Sequence, residues 1–353
     1  MGVYFIKNKG TSTYLATSTT SIGNHTSITV ADKSNNDDKA LSKFKWNLKS
    51  LTDNTYIRSV INPRYTLNAY RNTAIPYTCD VYDIFDNVDD DTLVGLEDST
   101  SAGYKKICLI GRNLYLTVVG TSLKWSISNN SNDNQLWQFE YIGNMGCDTA
   151  ANLSDSRLSA LTAYDFGFVG RYLNYASGGH NALTKDEISR IMDDSDMFIY
   201  SLYQENMVPG IDGFTSAAGT SHADNAVSLT NEFGQPANTP IYFAIDRDIE
   251  ANDCSQLYGY LNAIKVYLDN SSNNPNNYKL GVYACSNLCQ YIVDNIDANA
   301  YTMKAYAYDY YDESFTDWNI YQSSPSIGIY NSDFSVDMNL SSLAGGGGWR
   351  ITT

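Results

Sequence analysis

From Val3 to about residue 142 the apolar positions fall in short alternating runs, such as Val3 to Lys7, Thr55 to Val60 and Lys106 to Ile110. Clusters of Asn, Ser, Thr, Asp and Gly break these runs, and no stretch carries a helical period. A period of two without a period of 3.6 predicts half-buried strands, so this half reads as all-β. The pattern also recurs. Tyr14-Leu15, Tyr65-Thr66-Leu67 and Tyr115-Leu116-Thr117 each follow a strand-like run at a spacing of about 50 residues, a period that marks repeat architecture. Each copy closes on a similar segment: Phe44-Lys45-Trp46-Asn47-Leu48, Thr92-Leu93-Val94-Gly95-Leu96 and Gln135-Leu136-Trp137-Gln138-Phe139. A threefold β structure is the expectation, with Trp46 and Trp137 in its core.

Past Met145 the pattern changes. Short apolar runs now alternate with stretches of helical period, the first being Leu158, Leu161 and Tyr164 behind a Ser154 cap. Ile188, Ile191 and Met192 follow a Thr184/Glu187 capping box, Ala223, Ala226, Val227 and Phe233 stop at Gly234, and Leu257, Leu261, Ile264 and Leu268 form a fourth face. Strands are predicted at 145–148, 168–172, 197–202, 241–246, 279–284, 303–308, 318–322 and 335–337. Eight strands alternating with helices over about 200 residues predict a (β/α)8 TIM-type barrel. A doubly wound sheet is the rival, but no Gly-rich phosphate loop follows the first strand. The expected division is residues 1–142, a barrel over 145–343, and a flexible Gly-rich tail over 344–353.

Composition narrows the function. The 353 residues carry 39 acidic and 23 basic side chains, a net charge of -16, and no Lys/Arg cluster, which disfavours nucleic acid as a partner. No apolar run approaches the roughly 20 residues of a bilayer-spanning helix. The start MGVYFIKNKG carries no readable export signal, so an extracellular or wall-associated location would need another route or release on lysis. Six scattered cysteines and three histidines suggest buried thiols, with no disulfide framework and no zinc site; no cofactor or metal is expected, although hard oxygen ligands would suit a divalent cation. The 29 tyrosines lean towards sugar stacking, though they also fill ordinary cores.

Candidate chemistry lies in acids at the predicted strand ends. Asp148 ends the first strand, Glu205 lies past the third, Asp246 and Asp248 end the fourth, and Asp337 ends the eighth. Carboxylates converging on one mouth shift each other's pKa and divide into donor and ionised partner, as glycoside hydrolysis requires. No GxSxG elbow or strand-end His offers a rival. Asp148 also suits an N-cap, and Asp248 and Glu250 suit loop acids. Arg171, Tyr172, Gln204, Tyr242 and Tyr283 stand at or near strand ends and are candidate groove residues. So are Tyr306, Tyr308, Trp318 and Gln322. Arg171 would pair with Asp148 or Asp246, or form a structural salt bridge.

The Gln135-Leu136-Trp137 closure and the threefold period resemble the ricin-B-type β-trefoil lectins over residues 1 to 142, which implies a carbohydrate-binding-like domain. Gly146-Cys147-Asp148, Phe168-Val169-Gly170-Arg171-Tyr172-Leu173, Pro240 to Asp248, Gly281-Val282-Tyr283 and Val336-Asp337-Met338-Asn339 resemble the glycoside-hydrolase-like barrel domain, which is related to the family 25 lysozymes. That likeness implies catalytic roles for Asp148, Asp246 and Asp337, with Asp248 standing where the lysozymes carry their proton-donating Glu. The implied function is cleavage of peptidoglycan or another bacterial polysaccharide. The alternative is a glycan-binding or toxin-like protein with a degenerate hydrolase barrel.

Overall fold

The computed structural model describes residues 2–33, 38–51, 54–71, 74–85, 89–129, 131–175, 180–205, 211–306 and 315–351. They form two compact units, Met1–Met145 and Gly146–Thr353.

The first unit contains three successive sets of four strands: β1 (Gly2–Asn8), β2 (Tyr14–Thr17), β3 (Ile28–Ala31) and β4 (Lys45–Ser50), preceded by the single turn α1 (Asp38–Leu41); then β5 (Thr55–Ser59), β6 (Tyr65–Tyr70), β7 (Tyr77–Asp83) and β8 (Val94–Asp98); then β9 (Lys105–Leu109), β10 (Leu114–Val119), β11 (Ser122–Ile127) and β12 (Trp137–Gly143). Within each set the first strand pairs antiparallel with the last, as in Val3↔Asn47, Thr55↔Val94 and Lys105↔Trp137. The second pairs with the third in a hairpin. Each last strand hands on to the next set, and β12 returns to β1. This is a trefoil-like arrangement.

Its core is an apolar cluster in which Trp46, Trp125 and Trp137 are fully buried. A buried indole N–H needs an acceptor. Trp46 Nε1 donates to the Leu15 carbonyl of β2 at 3.0 Å and Trp137 Nε1 to the Leu116 carbonyl of β10 at 3.0 Å. The second set has Val94 at the position of those tryptophans, and Trp125 of β11 supplies the missing wedge, donating to the Asn68 carbonyl of β6 at 3.1 Å.

In the second unit eight strands close into a barrel: β13 (Met145–Asp148), β14 (Phe168–Tyr172), β15 (Phe198–Tyr203), β16 (Pro240–Ala244), β17 (Lys279–Ala284), β18 (Tyr301–Lys304), β19 (Ile320–Gly328) and β20 (Ser335–Ser341). Helices α2 (Asp155–Tyr164), α3 (Lys185–Asp194), α4 (Ser216–Phe233), α5 (Tyr258–Asp269) and α6 (Ser286–Asn295) follow the first five strands. The expected (β/α)8 TIM-type barrel is not what forms. Strands β13 to β19 run parallel, but β20 pairs antiparallel with β19, and no described helix follows β18 or β19. The physical reason is the connection: segment 329–334 is too short for the dozen or so residues of a parallel crossover, so the chain turns back as a hairpin.

Ile241, Phe243, Leu261, Ile264 and Val282 pack in the strand–helix layer, while Phe168, Tyr200, Leu202, Tyr242, Tyr283, Met303 and Ile320 fill the barrel interior. The C-terminal segment is also not the expected loose tail. Trp349 is 2% exposed, exchanges backbone hydrogen bonds with Ile199 at 2.9 Å, and donates its indole N–H to Ser201 Oγ at 3.0 Å. Arg350 donates to the carbonyls of Met192, Ser195 and Met197, placing a cation on the C-terminus of α3. The glycines there serve close approach: a Cβ on Gly346 would stand 2.5 Å from Ile320, and one on Gly347, whose φ is +69°, 2.4 Å from Pro240.

Candidate functional site

The parallel strands end at one mouth, and β20, running oppositely, begins there. Asp148 is the last residue of β13, and Asp337 lies near the start of β20. Gln322 on β19 donates through Nε2 to both, at 3.3 Å to Asp148 Oδ2 and 3.1 Å to Asp337 Oδ2. Its carbonyl Oε1 accepts the Tyr306 N–H at 3.2 Å and the Tyr283 hydroxyl at 3.3 Å, which fixes the amide with its donor face towards the acids. Asn339, two residues beyond Asp337 and so on the same strand face, donates to Asp148 Oδ2 at 2.7 Å. Asp337 Oδ1 also accepts the Ser326 N–H at 2.7 Å. Asp246, just beyond β16, is hydrogen-bonded by Gln204.

Burial first, then the charge of Asp337, pushes the Asp148 carboxyl up to about 7, against the pull of the Asn339 and Gln322 amides. Desolvation likewise raises Asp337, with Asp246 adding to it, and raises Asp246. Tyr172 and Tyr283 hydroxyls are held well above their ordinary value by burial and then by these acids. Asp148, Tyr172, Phe334, Ser335 and Asp337 line a cavity of about 750 Å³, with Arg157 at its rim. One carboxyl kept protonated near neutrality beside ionisable partners is the arrangement that lets a proton be given to a leaving oxygen.

Of the sequence candidates, the mouth unites Asp148, Asp246 and Asp337 with Tyr172, Gln204, Tyr283 and Gln322. Others lie elsewhere. Arg171 does not pair with Asp148 or Asp246: it is fully buried, donates to Glu187 Oε1 at 2.7 Å and Thr149 O at 2.6 Å, and serves the strand–helix layer. Thr184 does cap α3, yet the Glu187 carboxylate turns to Arg171. Tyr242 sends its hydroxyl to the Gly346 carbonyl at 2.7 Å, at the opposite end of the barrel. Trp318 packs against the outer layer and leans on Tyr321. Glu205 accepts the Tyr203 hydroxyl at 2.6 Å and its charge reaches both His222 and His180, and the charge of Asp248 is felt by Cys285. Tyr308 lies outside the described residues. Sequence reasoning missed Asn339 and His180, whose ring stacks on Tyr172 at 3.9 Å. The two-residue step from Asp337 was the available signal for Asn339; nothing local marked His180.

The first unit has its own polar hollow of about 470 Å³, lined by His25, Asn68, Tyr70, Arg71, Tyr82 and Asp91 among others. At its base Asp80, 2% exposed, accepts from Asn68 Nδ2 at 2.6 Å and contacts His25 Nδ1 at 2.6 Å, and burial raises its carboxyl. The His25 ring lies 4.3 Å from that of Tyr70. His25 comes from the connection between β2 and β3, in the preceding set, which is why no repeat-by-repeat reading assembled the hollow.

A closed barrel with acids and amides at its mouth is a hydrolase-like barrel in class. The chain belongs to the Rv2525c-like, glycoside hydrolase-like domain family, which matches residues 159–335. FadG, an uncharacterized protein of Bacillus subtilis (strain 168), is 27% identical over 148 residues, which are 41% of this chain and 25% of FadG, so the match spans only a quarter of that relative. Among solved structures, the Tat-secreted protein Rv2525c of Mycobacterium tuberculosis is 21% identical over 58% of this chain and 98% of its own, with a TM-score of 0.47. The designed threefold-symmetric protein ThreeFoil is 16% identical over 40% of this chain and 99% of its own, with a TM-score of 0.34.

Proposed function

We propose that the protein is a glycoside hydrolase acting on a bacterial cell-wall polysaccharide of the peptidoglycan type, at or outside the cell surface, with the first unit holding the glycan. The observation that carries the reading is the Asp148–Gln322–Asp337 arrangement, a carboxyl pushed up to about 7 beside a second acid. In this reading Asp148 gives its proton to the glycosidic oxygen as the C1–O bond breaks, the substrate's acetamido oxygen, assisted by Asp337 and Asp246, closes on the anomeric carbon, and water then displaces it while returning a proton to Asp148. Two oxygens held at 3.3 and 3.1 Å from one nitrogen lie closer together than the roughly 6.5 to 9.5 Å kept by inverting pairs, so retention of configuration is expected. Tyr70, Tyr82, Asn68 and Asp80 supply the first unit with flat rings and hydrogen-bonding groups for a sugar.

The test is reducing-end release from purified cell walls and from chito-oligosaccharides. Wild type should release ends, and Asp148→Asn and Asp337→Asn should each lose about 100- to 10,000-fold. Binding without any release, unchanged in both variants, would leave the non-catalytic glycan-binding reading in its place.

A further inference from the structure

The second strand set departs from the other two at a place where a threefold repeat would have all three agree. Counting from the repeated Tyr14, Tyr65 and Tyr115, the residues three further on are Thr17, Asn68 and Val118, and in the antiparallel register they face Ile28, Asp80 and Leu123. All six are buried. Two of the related pairs thus carry an aliphatic side chain where the second carries an acid, and a buried carboxylate is costly unless it is hydrogen-bonded. The neighbouring positions diverge too. Tyr70 stands where the other sets have Thr19 and Gly120, and Tyr82 where they have the core residues Val30 and Trp125.

What Asp80 does is hold His25. Its Oδ1 accepts from Asn68 Nδ2 at 2.6 Å, and its Oδ2 lies 2.6 Å from His25 Nδ1. His25 comes from the preceding set, has a left-handed backbone with φ of +65°, and is pinned by its N–H to the Val81 carbonyl at 2.8 Å. With Nδ1 turned to Asp80, the other ring nitrogen lies on the side away from the buried acid, and the side chain is 45% exposed in the hollow of about 470 Å³. The rings of Tyr70 and Tyr82 lie 4.3 and 5.3 Å from that of His25. Arg71 is paired with Asp89 and Asp91, so hydrogen bonding and flat apolar faces are what the hollow offers. That combination suits a neutral saccharide, whose hydroxyls both donate and accept and whose C–H faces pack on aromatic rings.

Resting on the glycan reading above, we infer that the first unit holds one neutral saccharide per chain, in this hollow alone among its three related positions, with His25 as the hydrogen-bonding side chain and Asp80 as the residue that positions it. The other two positions have the aliphatic pairs of an ordinary core and neither the acid nor the rings.

The experiment is an amide-resolved NMR titration of the full chain with three separate probes: the N-acetylglucosamine tetramer, lactose and mannotriose. At least one should bind, and the first-unit shifts should gather at 23–26, 68–71 and 80–83 and fit a single site. His25→Asn, which keeps a residue type that tolerates the left-handed backbone, and Tyr82→Leu should each weaken that binding by about tenfold or more. The double variant Asn68→Val/Asp80→Leu copies the third set's pair into the second. It should lose the first-unit site while its denaturation midpoint stays at or above that of wild type. Thr19→Ala, at the position related to Tyr70, should leave the affinity within about twofold. Shifts that spread equally to 17–19 and 28–30, or to 118–120 and 123–125, would overturn the inference, as would affinity retained in both single variants. A midpoint that falls in the double variant would show the pair to be structural, and the positioning role would fail. In each of those cases the glycan reading stands; if no probe shifts a first-unit amide, the inference and that unit's part in the glycan reading fail together.

Discussion

The two units bury polarity in opposite ways. In the first, the apolar cluster takes in three indole N–H groups, each matched to a main-chain carbonyl, and buried polar side chains such as Asn8 and Asp80 find hydrogen-bond partners of their own. In the barrel, the end crossed by the C-terminal segment is filled with Tyr200, Tyr242, Ile320 and Trp349, while the opposite end carries Asp148 among amides and tyrosines. Each of the first unit's indoles is satisfied by one main-chain acceptor. The second unit leaves the Asp148 carboxyl pushed up to about 7 by burial and by the charge of Asp337, a departure whose cost points to a function. Departure from self-consistency, more than conformity to it, marks where chemistry is done.

The largest expected effects fall on structural groups, one in each unit. Arg171 and Glu187 are both fully buried, so Arg171→Met leaves an uncompensated carboxylate and should destabilise the barrel by about 3–5 kcal/mol in chemical denaturation. Adding Glu187→Leu should restore part of the loss, though not all, because Glu187 also accepts the Leu153 N–H at 3.0 Å. If Arg171→Met instead keeps full stability and changes only glycan binding, the sequence-based placement of Arg171 in the groove was right and its structural role is not. In the first unit, Trp125→Ala should cost about 3–5 kcal/mol, read as lost amide-exchange protection in β6, β10 and β11. A cost below about 1 kcal/mol would mean that Trp125 does not replace the wedge missing at Val94.

These residues also show how far the sequence could be read. The threefold period was legible because each set repeats Tyr-Leu and a closing apolar segment, signals local to a strand. Trp125 was not, because its partner Asn68 is 57 residues away and belongs to another set. Alternation told that about half of the strand-end candidates would face away from the mouth without telling which; Arg171 and Tyr242 were lost to that ambiguity. The antiparallel β20 was not legible, because a strand predicted to stop at 322 leaves a connection long enough for a crossover, whereas β19 runs on to Gly328 and leaves only 329–334. The Gly345 to Gly348 run read as a flexible linker because glycine permits both freedom and close approach, and only the packing of Gly346 on Ile320 and Tyr200 distinguishes them. Asp148 and Asp246 were singled out because a carboxylate closing an apolar strand needs a reason that is visible in one dimension; Asp337 was expected to end the eighth strand, and it stands at the mouth because it lies near the start of the reversed β20.

A smaller effect of opposite sign should come from Asp148. Its carboxyl is held at about 7 in the folded chain and titrates near 3.8 when unfolded. Below both values each state carries the proton and the residue is neutral in its effect. As pH rises from about 4 to 7 the unfolded chain releases the proton first, so stability falls across that window and levels off above it. Asp148→Asn removes this dependence. The variant should match wild type near pH 4 and exceed it by roughly 1–3 kcal/mol at pH 8, the bonds lost to Asn339 and Gln322 offsetting part of the gain. Wild-type hydrolysis should correspondingly decline above about pH 7 as the donor empties. A variant that is less stable than wild type at pH 8 would mean that the mouth is held together by its charge rather than strained by it.

The smallest effect should come from the rim. Arg157 grips Asp333 with two hydrogen bonds, the same fork geometry that Arg171 uses inside, and its guanidinium holds the Asp333 carboxyl below its ordinary range. The difference is water: the Asp333 side chain is 74% exposed, whereas both partners of the Arg171 pair are at 0%. In solvent the attraction is screened and the unpaired ion is readily hydrated, so Asp333→Asn should shift the denaturation midpoint by no more than the scatter between replicates. Its depressed folded-state pKa gives the contribution a direction, present above the unfolded value and lost as pH falls through the folded one. The informative readout is therefore the ratio between the two arginine pairs. A loss from Asp333→Asn comparable to that from Arg171→Met would show that fork geometry rather than burial sets the scale, and the contrast between a pair held in the interior and one held in solvent would lose its physical basis.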